Sequence, residues 1–508
     1  MKKIFPPTTI ILRSRKAELP PGGPAALRRS RLLAVAAGAL ALGAGGVRAE
    51  TLADAIALAY QSNPGLQAQR AALRATDETY VQARAGYEPT ASVQASVTTG
   101  DNTLFSSTAG TPIQGPGAVQ SSSATLTLAQ PLYTGGRVAS AVDAADATVR
   151  AGREALRATE QSVLQNVINA YVAVRRDQAA VAIAQENVAL LVGQLNEINA
   201  RHKVGEITRT DVAQTQQRVS AGRAQLATAQ ANLSVSRATY AQVVGQSPGE
   251  LAPEPPLNRL LPVSFEAAVD AAVARNPQLR QADYAERASA ARIAEARAQT
   301  RPTLALQGSL SYAGNNVGLS TPFARYGHDV SASLVATLPL STGGVTSSQI
   351  RQAAETNAVD RLGIENARRQ AVFSVSQAWS ELVGARESLL ADQEQVDAAK
   401  DAFEGSRTEG KLGLRTSLDV LISEQDLNTA QLALIGARHD EYVAASGLLA
   451  AMGELTAEAL SPGVTVYNPV KNFDRVRHMP LQAPWEPVVA AMDGVAAPST
   501  PPPPAKPK

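Results

Sequence analysis

Pro131-Leu132-Tyr133-Thr134-Gly135-Gly136 returns about 210 residues later as Pro339-Leu340-Ser341-Thr342-Gly343-Gly344. Upstream of these two runs, Asn63-Pro64 and Pro89 are matched in order by Asn276-Pro277 and Pro302. Downstream, Gly205-Glu206-Ile207-Thr208-Arg209-Thr210-Asp211-Val212 is matched by Gly413-Leu414-Arg415-Thr416-Ser417-Leu418-Asp419-Val420. A repeat of this size is a duplicated structural unit, not a short solenoid module. Each copy reads as helix, strand, long loop, strand, very long helix, turn, helix. In both copies the proline is expected to end a strand, because it cannot donate to a sheet ladder. The paired glycines then allow a sharp redirection into the following helix.

The segments ahead of the two runs alternate. Ala91, Val93, Ala95 and Val97 interleave with Ser92, Gln94, Ser96 and Thr98, and Ala124, Leu126, Leu128 and Leu132 with Ser123, Thr125 and Thr127. The second copy repeats this with Leu304, Leu306, Leu310 and Tyr312, then with Val330, Ala332, Leu334, Ala336 and Leu338. A period of two gives each strand one apolar and one small polar face. A length of about ten residues is that of a tilted strand crossing an outer membrane. A soluble sandwich is the alternative, but it ordinarily needs seven or more strands. Four strands cannot close a membrane barrel, whereas three copies would supply twelve and leave no edge. The segments at about 100–120 and 314–327, rich in Gly, Ser, Thr and Asn, are expected to be outer loops.

Beyond the glycine pairs, Val138 to about His202 contains no Pro. As one helix it would span roughly 100 Å. Val138, Val142, Ala145, Val149, Gly152, Leu156, Thr159 and Val163 step by four and three, the heptad seam of a left-handed supercoil. The second copy has an equivalent helix from Val345 to about Arg407. Gly205 and Gly413 stand where a C-terminal cap needs a left-handed residue. Thr208 with Asp211, and Thr416 with Asp419, fit capping boxes for the returning helices. These helices run to about Val244 and Met452, and each pair forms an antiparallel hairpin.

Composition removes other classes. The chain has 508 residues, no Cys and four His, so disulfides, thiolate metal sites and a lipidated N-terminal Cys are excluded, and no cofactor is expected. Residues 1–49 read as an export signal: Arg28-Arg29-Ser30-Arg31, the apolar run Leu32–Val47, and the cleavage-like Val47-Arg48-Ala49. A membrane anchor is the alternative, although the run is short for a span. This segment holds nine of the 47 Lys and Arg and one of the 45 Asp and Glu, leaving 38 basic and 44 acidic residues, a net of −6. There is no basic stripe for nucleic acid. No P-loop, Ser-His-Asp order or paired catalytic carboxylates point to an enzyme. The divisions are 1–49 signal, 50–250 first repeat, 251–263 linker, 264–453 second repeat, 454–484 C-terminal segment and 485–508 a Pro-rich, disordered tail.

Four marks in order resemble the TolC-like family of outer-membrane channel-tunnels, closest to its type I secretion branch. They are Gln130-Pro131-Leu132-Tyr133-Thr134-Gly135-Gly136-Arg137, Val243-Val244-Gly245-Gln246-Ser247-Pro248-Gly249, Gly413 to Val420, and Val466-Tyr467-Asn468-Pro469. The resemblance covers about residues 50–478. It implies a mainly α, internally duplicated chain whose homotrimer forms a 12-stranded membrane β-barrel continuing into a 12-helix coiled-coil α-barrel in the periplasm. The linker and the segment after Met452 would form an equatorial belt. Implied partners are outer-membrane lipid, a periplasmic adaptor and an inner-membrane exporter, with the ABC type favoured and nucleic acid absent.

The resemblance also implies roles at the hairpin tips. Val204, Gly205, Leu412 and Gly413 would receive the adaptor, although their sequence is fully explained by capping. Asp419 matches an acidic ring at the tunnel entrance; it is also the third residue of its capping box. Ile422 stands where some members carry a second Asp. Arg415 matches a basic residue that, in relatives, bonds across to the neighbouring hairpin near Thr210 and Asp211, and its alternative is a solvated charge. Gly410 replaces a Tyr that completes this latch in some relatives. Three functions stay open on these residues: a protein-secretion duct, a small-molecule efflux duct, or a periplasmic coiled-coil adaptor without a pore.

Overall fold

The computed structural model describes residues 49–101, 118–317, 326–478 and 484–495. The signal segment, the centres of both strand-joining loops and the tail beyond 495 lie outside the described residues.

The first repeat contains α1 (Leu52–Ser62), α2 (Pro64–Arg84), β1 (Thr90–Asp101), β2 (Ala118–Tyr133), α3 (Arg137–Lys203) and α4 (Arg209–Val244). The second contains α5 (Phe265–Arg275), α6 (Pro277–Ala298), β3 (Thr303–Val317), β4 (Tyr326–Thr337), α7 (Val345–Lys411) and α8 (Ser417–Met452). Three short helices follow: α9 (Ala457–Leu460), α10 (Val470–Arg477) and α11 (Glu486–Val495). The element starts have local causes. The Asn63 and Asn276 side chains accept backbone N–H bonds at the beginning of α2 and α6, with Pro64 and Pro277 in the first helical position. α3 and α7 each run 67 residues, or about 100 Å.

The strands form one antiparallel sheet in the order β1-β2-β3-β4, so the β2–β3 pair joins the two repeats. Register puts like with like. Val93, Leu126, Leu310 and Val330 lie in one row across all four strands, and Ser92, Thr127, Ser309 and Ser331 lie in a row on the opposite face. Hydroxyls on the polar face bond across strands, Ser96 with Ser123 at 2.9 Å, Thr125 with Ser311 at 3.1 Å and Ser309 with Ser331 at 2.8 Å. The apolar row faces outward from the chain, with Val93 73% and Val330 71% exposed. Among the described residues β1 and β4 are the sheet's edges.

Two expectations are corrected here. All four strands extend into the segments read as loops, because small polar residues suit a sheet's polar face as well as a loop. Pro131 does not end its strand: β2 continues to Tyr133 through a shift in register between Pro131 and Tyr133. A proline is tolerated at such an irregularity because the ladder bond it cannot make is already interrupted. Pro339, by contrast, lies beyond the end of β4 at Thr337.

The main core sits midway along the long helices. Leu164, Val167, Ile168 and Tyr171 of α3 pack with Ile56 of α1, Tyr240 and Val244 of α4, Val375 and Leu382 of α7, and Leu448, Leu449 and Met452 of α8. Buried tyrosines tie the inter-repeat linker and the start of the first repeat to this level. The Tyr171 hydroxyl donates to the Ala252 carbonyl at 2.6 Å, Tyr442 to the Pro255 carbonyl at 3.1 Å, and Tyr240 to Glu50 Oε1 at 2.7 Å. Above and below this belt the helices rely on narrow seams. On α3, Val138 and Val149 of the heptad series are buried outside the main core, and Leu156 and Val163 join it.

Candidate functional site: hairpin tips and strand-to-helix junctions

At the tips, α3 and α7 end in the same motif. Gly205 has φ 84° and Gly413 φ 77°. The Gly205 N–H donates to the His202 carbonyl and the Glu206 N–H to Arg201, both at 3.0 Å; Gly413 donates to Gly410 at 3.1 Å and Leu414 to Glu409 at 2.9 Å. This paired closure satisfies the last carbonyls of each helix. Both capping boxes are formed. Asp211 and Asp419 Oδ2 each accept from the backbone of their threonine at 3.1 Å, and the threonine hydroxyls accept from the aspartate N–H groups at 3.3 and 3.2 Å. The bonds from Thr416, with Arg415 nearby, hold the Asp419 carboxyl below its ordinary range, so it is an anion at neutral pH.

Val204, Leu412 and Leu414 stand 71%, 71% and 75% exposed, so each tip presents apolar side chains to solvent. Within the chain Arg415 donates from Nε to Glu409 Oε2 at 2.8 Å, inside its own turn. Thr210 and Asp211 lie at the start of α4 on the other hairpin, and the structure does not bring Arg415 to them. Glu409 was not singled out by the sequence reading. Its signal was its place six residues before Arg415, across the glycine turn.

At the junctions, Gly135 and Gly136 have φ 71° and 86°, and Gly343 and Gly344 have φ 62° and 87°. A threonine opens each helix: the Thr134 hydroxyl accepts from the Val138 N–H at 3.2 Å, and Thr342 from Thr346 at 3.3 Å. The first junction has a further partner. Asp493 of α11, fully buried, accepts from the Thr134 N–H and hydroxyl, both at 2.8 Å, and from the Gly136 N–H at 2.9 Å. Beside it the Trp485 indole N–H donates to Gln130 Oε1 at 2.8 Å, and Arg84 pairs with buried Glu486. The tail expected to be disordered from residue 485 is therefore a docked helix over 486–495. Its burial of Val489 against Tyr87 and Val138 offsets the low hydrophobicity that suggested disorder. The legible signal was Trp485 followed by Val488, Val489 and Met492, an amphipathic turn inside a Pro-rich stretch.

The family described as Outer membrane efflux protein matches residues 55–246 and 268–454, one segment in each repeat. The chain belongs to this family. Outer membrane efflux protein BepC of Brucella suis is 34% identical over 84% of this chain and 91% of its own length. Alkaline protease secretion protein AprF of Pseudomonas aeruginosa is 28% identical over 57% of this chain and 61% of its own length. Among solved structures, the outer membrane protein VceC of Vibrio cholerae superposes with a TM-score of 0.66 at 22% identity, covering 79% of this chain and 96% of VceC. The fold class read from the sequence stands for this family member: mainly α, internally duplicated, with a membrane β-barrel continuing into a helical barrel. The family's members are outer-membrane channel proteins, and their helical portion lies in the periplasm.

Proposed function

We propose that three copies of the chain form the exit duct of a tripartite export system. The observation that carries this is the sheet: apolar on one face, small and hydroxyl-lined on the other, with both edges unpaired among the described residues. Joining β4 of one copy to β1 of the next removes every edge and turns the hydroxyl face into a lumen wall. The cargo we favour is protein, the class named in the description of AprF as an alkaline protease secretion protein, and the exporter we favour is of the ABC type. Small-molecule efflux is the second reading, favoured by the name and the higher identity of BepC.

The tips are the entrance in this reading. Asp419 from three copies forms an acidic ring that favours cations. Arg415, free to exchange Glu409 for Thr210 and Asp211 of a neighbouring hairpin, links the closed state. Val204, Gly205, Leu412 and Gly413 receive the adaptor through their exposed apolar side chains. The test is single-channel recording of the full chain in a planar bilayer under a salt gradient. Wild type is expected to give small cation-selective steps, and Asp419→Asn to lose that selectivity. Selectivity unchanged in Asp419→Asn would reduce the residue to a helix cap. Folded protein silent even as Arg415→Ser would remove the duct.

A further inference from the structure

About two turns above the second tip, α8 packs beside α3, a second and smaller contact between the two hairpins of one chain besides the main core. Its apolar part is small: Leu191 of α3, Val219 of α4 and Leu421 of α8. Next to it Glu424, 4% exposed, enters the seam from α8. Gln194 of α3 donates from Nε2 to Glu424 Oε2 at 2.6 Å. The other oxygens of the same two groups, Glu424 Oε1 and Gln194 Oε1, are both buried without a partner, as is Asn428 Oδ1. Two buried acceptors left without a donor among the described residues are costly in a dry seam. Yet these two belong to groups already joined by one bond. A carboxylic acid and a primary amide can pair through two parallel bonds, N–H to carboxyl oxygen and O–H to amide oxygen. One proton on Glu424 Oε1 supplies the missing donor.

We propose that Glu424 and Gln194 form a proton-operated latch between α3 and α8, closed by two bonds when Glu424 is protonated and weakened when it ionises. Burial pushes the Glu424 carboxyl up to about 7, against the opposing effects of the Gln194 bond and of Arg407. The charged groups facing it are Arg407 from α7 and Arg218 from α4, which lines the adjoining cavity of about 350 Å³. α3 presents only the amides of Asn187 and Gln194, and α8 itself the neutral Gln425 and Asn428. The folded value lies above the ordinary 4.5, so the latch is fully made below about pH 4.5 and is lost as pH rises through about 7. The periplasm lies within that window, so acidity there would hold the hairpins together and neutral pH release them.

The chain has no Cys, so spin labels at Glu197→Cys on α3 and Asp426→Cys on α8, both exposed, are the only ones present, and diluting labelled copies with excess unlabelled protein before assembly leaves the distance across that seam within one copy. In the full-length protein the interlabel distances are expected to be narrow at pH 6 and broad at pH 8, with a midpoint near 7. Glu424→Gln places two amides face to face, which pair without a proton, so its distances stay narrow at both pH values. Gln194→Glu makes two carboxyls share the site and moves the midpoint up by about one pH unit or more. A wild type that shows no change, or a Glu424→Gln protein that follows the wild-type profile, overturns the latch, and an unmoved midpoint in Gln194→Glu does so independently. The functional consequence rests on the duct reading: channel openings at pH 8 should exceed those at pH 6 by about tenfold, one pH unit's worth of proton linkage. Label distances that respond to pH in a protein that stays silent even as Arg415→Ser keep the latch and sink the duct.

Discussion

The two Thr-Gly-Gly junctions share a sequence, a backbone and a threonine cap, but not their surroundings. Around Gly135 the chain closes in: a β-carbon there would stand 2.8 Å from Arg301 Cβ and 3.2 Å from the Ala298 carbonyl, and Asp493 fills the N-terminus of α3. A β-carbon on Gly343 or Gly344 would meet nothing within 4 Å among the described residues, and Leu340 is 90% exposed. The second repeat has no counterpart of α11 among the described residues, since the chain has one C-terminus for two junctions. Duplication therefore copies what is local and leaves long-range partners to whichever segment reaches first.

Three substitutions test how deep this asymmetry goes, each followed by urea unfolding of the full chain in detergent at the helical circular-dichroism band. The largest effect belongs to Asp493→Ala. It strands three buried donors at the first junction and is expected to cost about 4 kcal/mol; a cost below about 1 kcal/mol would mean that water replaces the carboxylate and that α11 clamps nothing. Next is the glycine pair. Gly135→Ala combines left-handed strain with a clash against fixed backbone and should cost about 3 kcal/mol, whereas Gly343→Ala carries the strain alone, about 1 kcal/mol. Equal costs in the assembled protein would show a second copy packed on Gly343 as tightly as Arg301 packs on Gly135. Smallest is the threonine cap. Thr342→Val loses one cap bond, about 1 kcal/mol, and Thr134→Val should exceed it by about the value of its bond to Asp493. Identical effects would show that the hydroxyl bond to Asp493 contributes nothing.

The same division separates what was legible from what was not. The bounds of α3 and α4, the Gly205 and Gly413 closures and both capping boxes followed from residues within six positions of each other. The alternating strands were legible because period two is a local pattern, and even their partners follow from matching faces. Pro131 misled because whether a proline ends a strand depends on its neighbour's register, and here β3 continues alongside. The tail misled because its few apolar residues become sufficient only against Tyr87, Val138 and Gln130. Glu424 looked like any charged position on a long helix; its environment comes from α3, some 230 positions earlier in the chain.

By itself the sequence determined the duplication, the element order, the length of the hairpins and the two-faced strands. These rest on helix capping, backbone freedom at glycine and side-chain periodicity, all forces that act over a turn or two. Only the tertiary structure decided that Asp493 caps α3, that Arg415 turns to Glu409, and that Glu424 meets Gln194 with one proton's worth of bonding left over. Those choices depend on which groups lose water together when distant segments pack, and no local pattern records that.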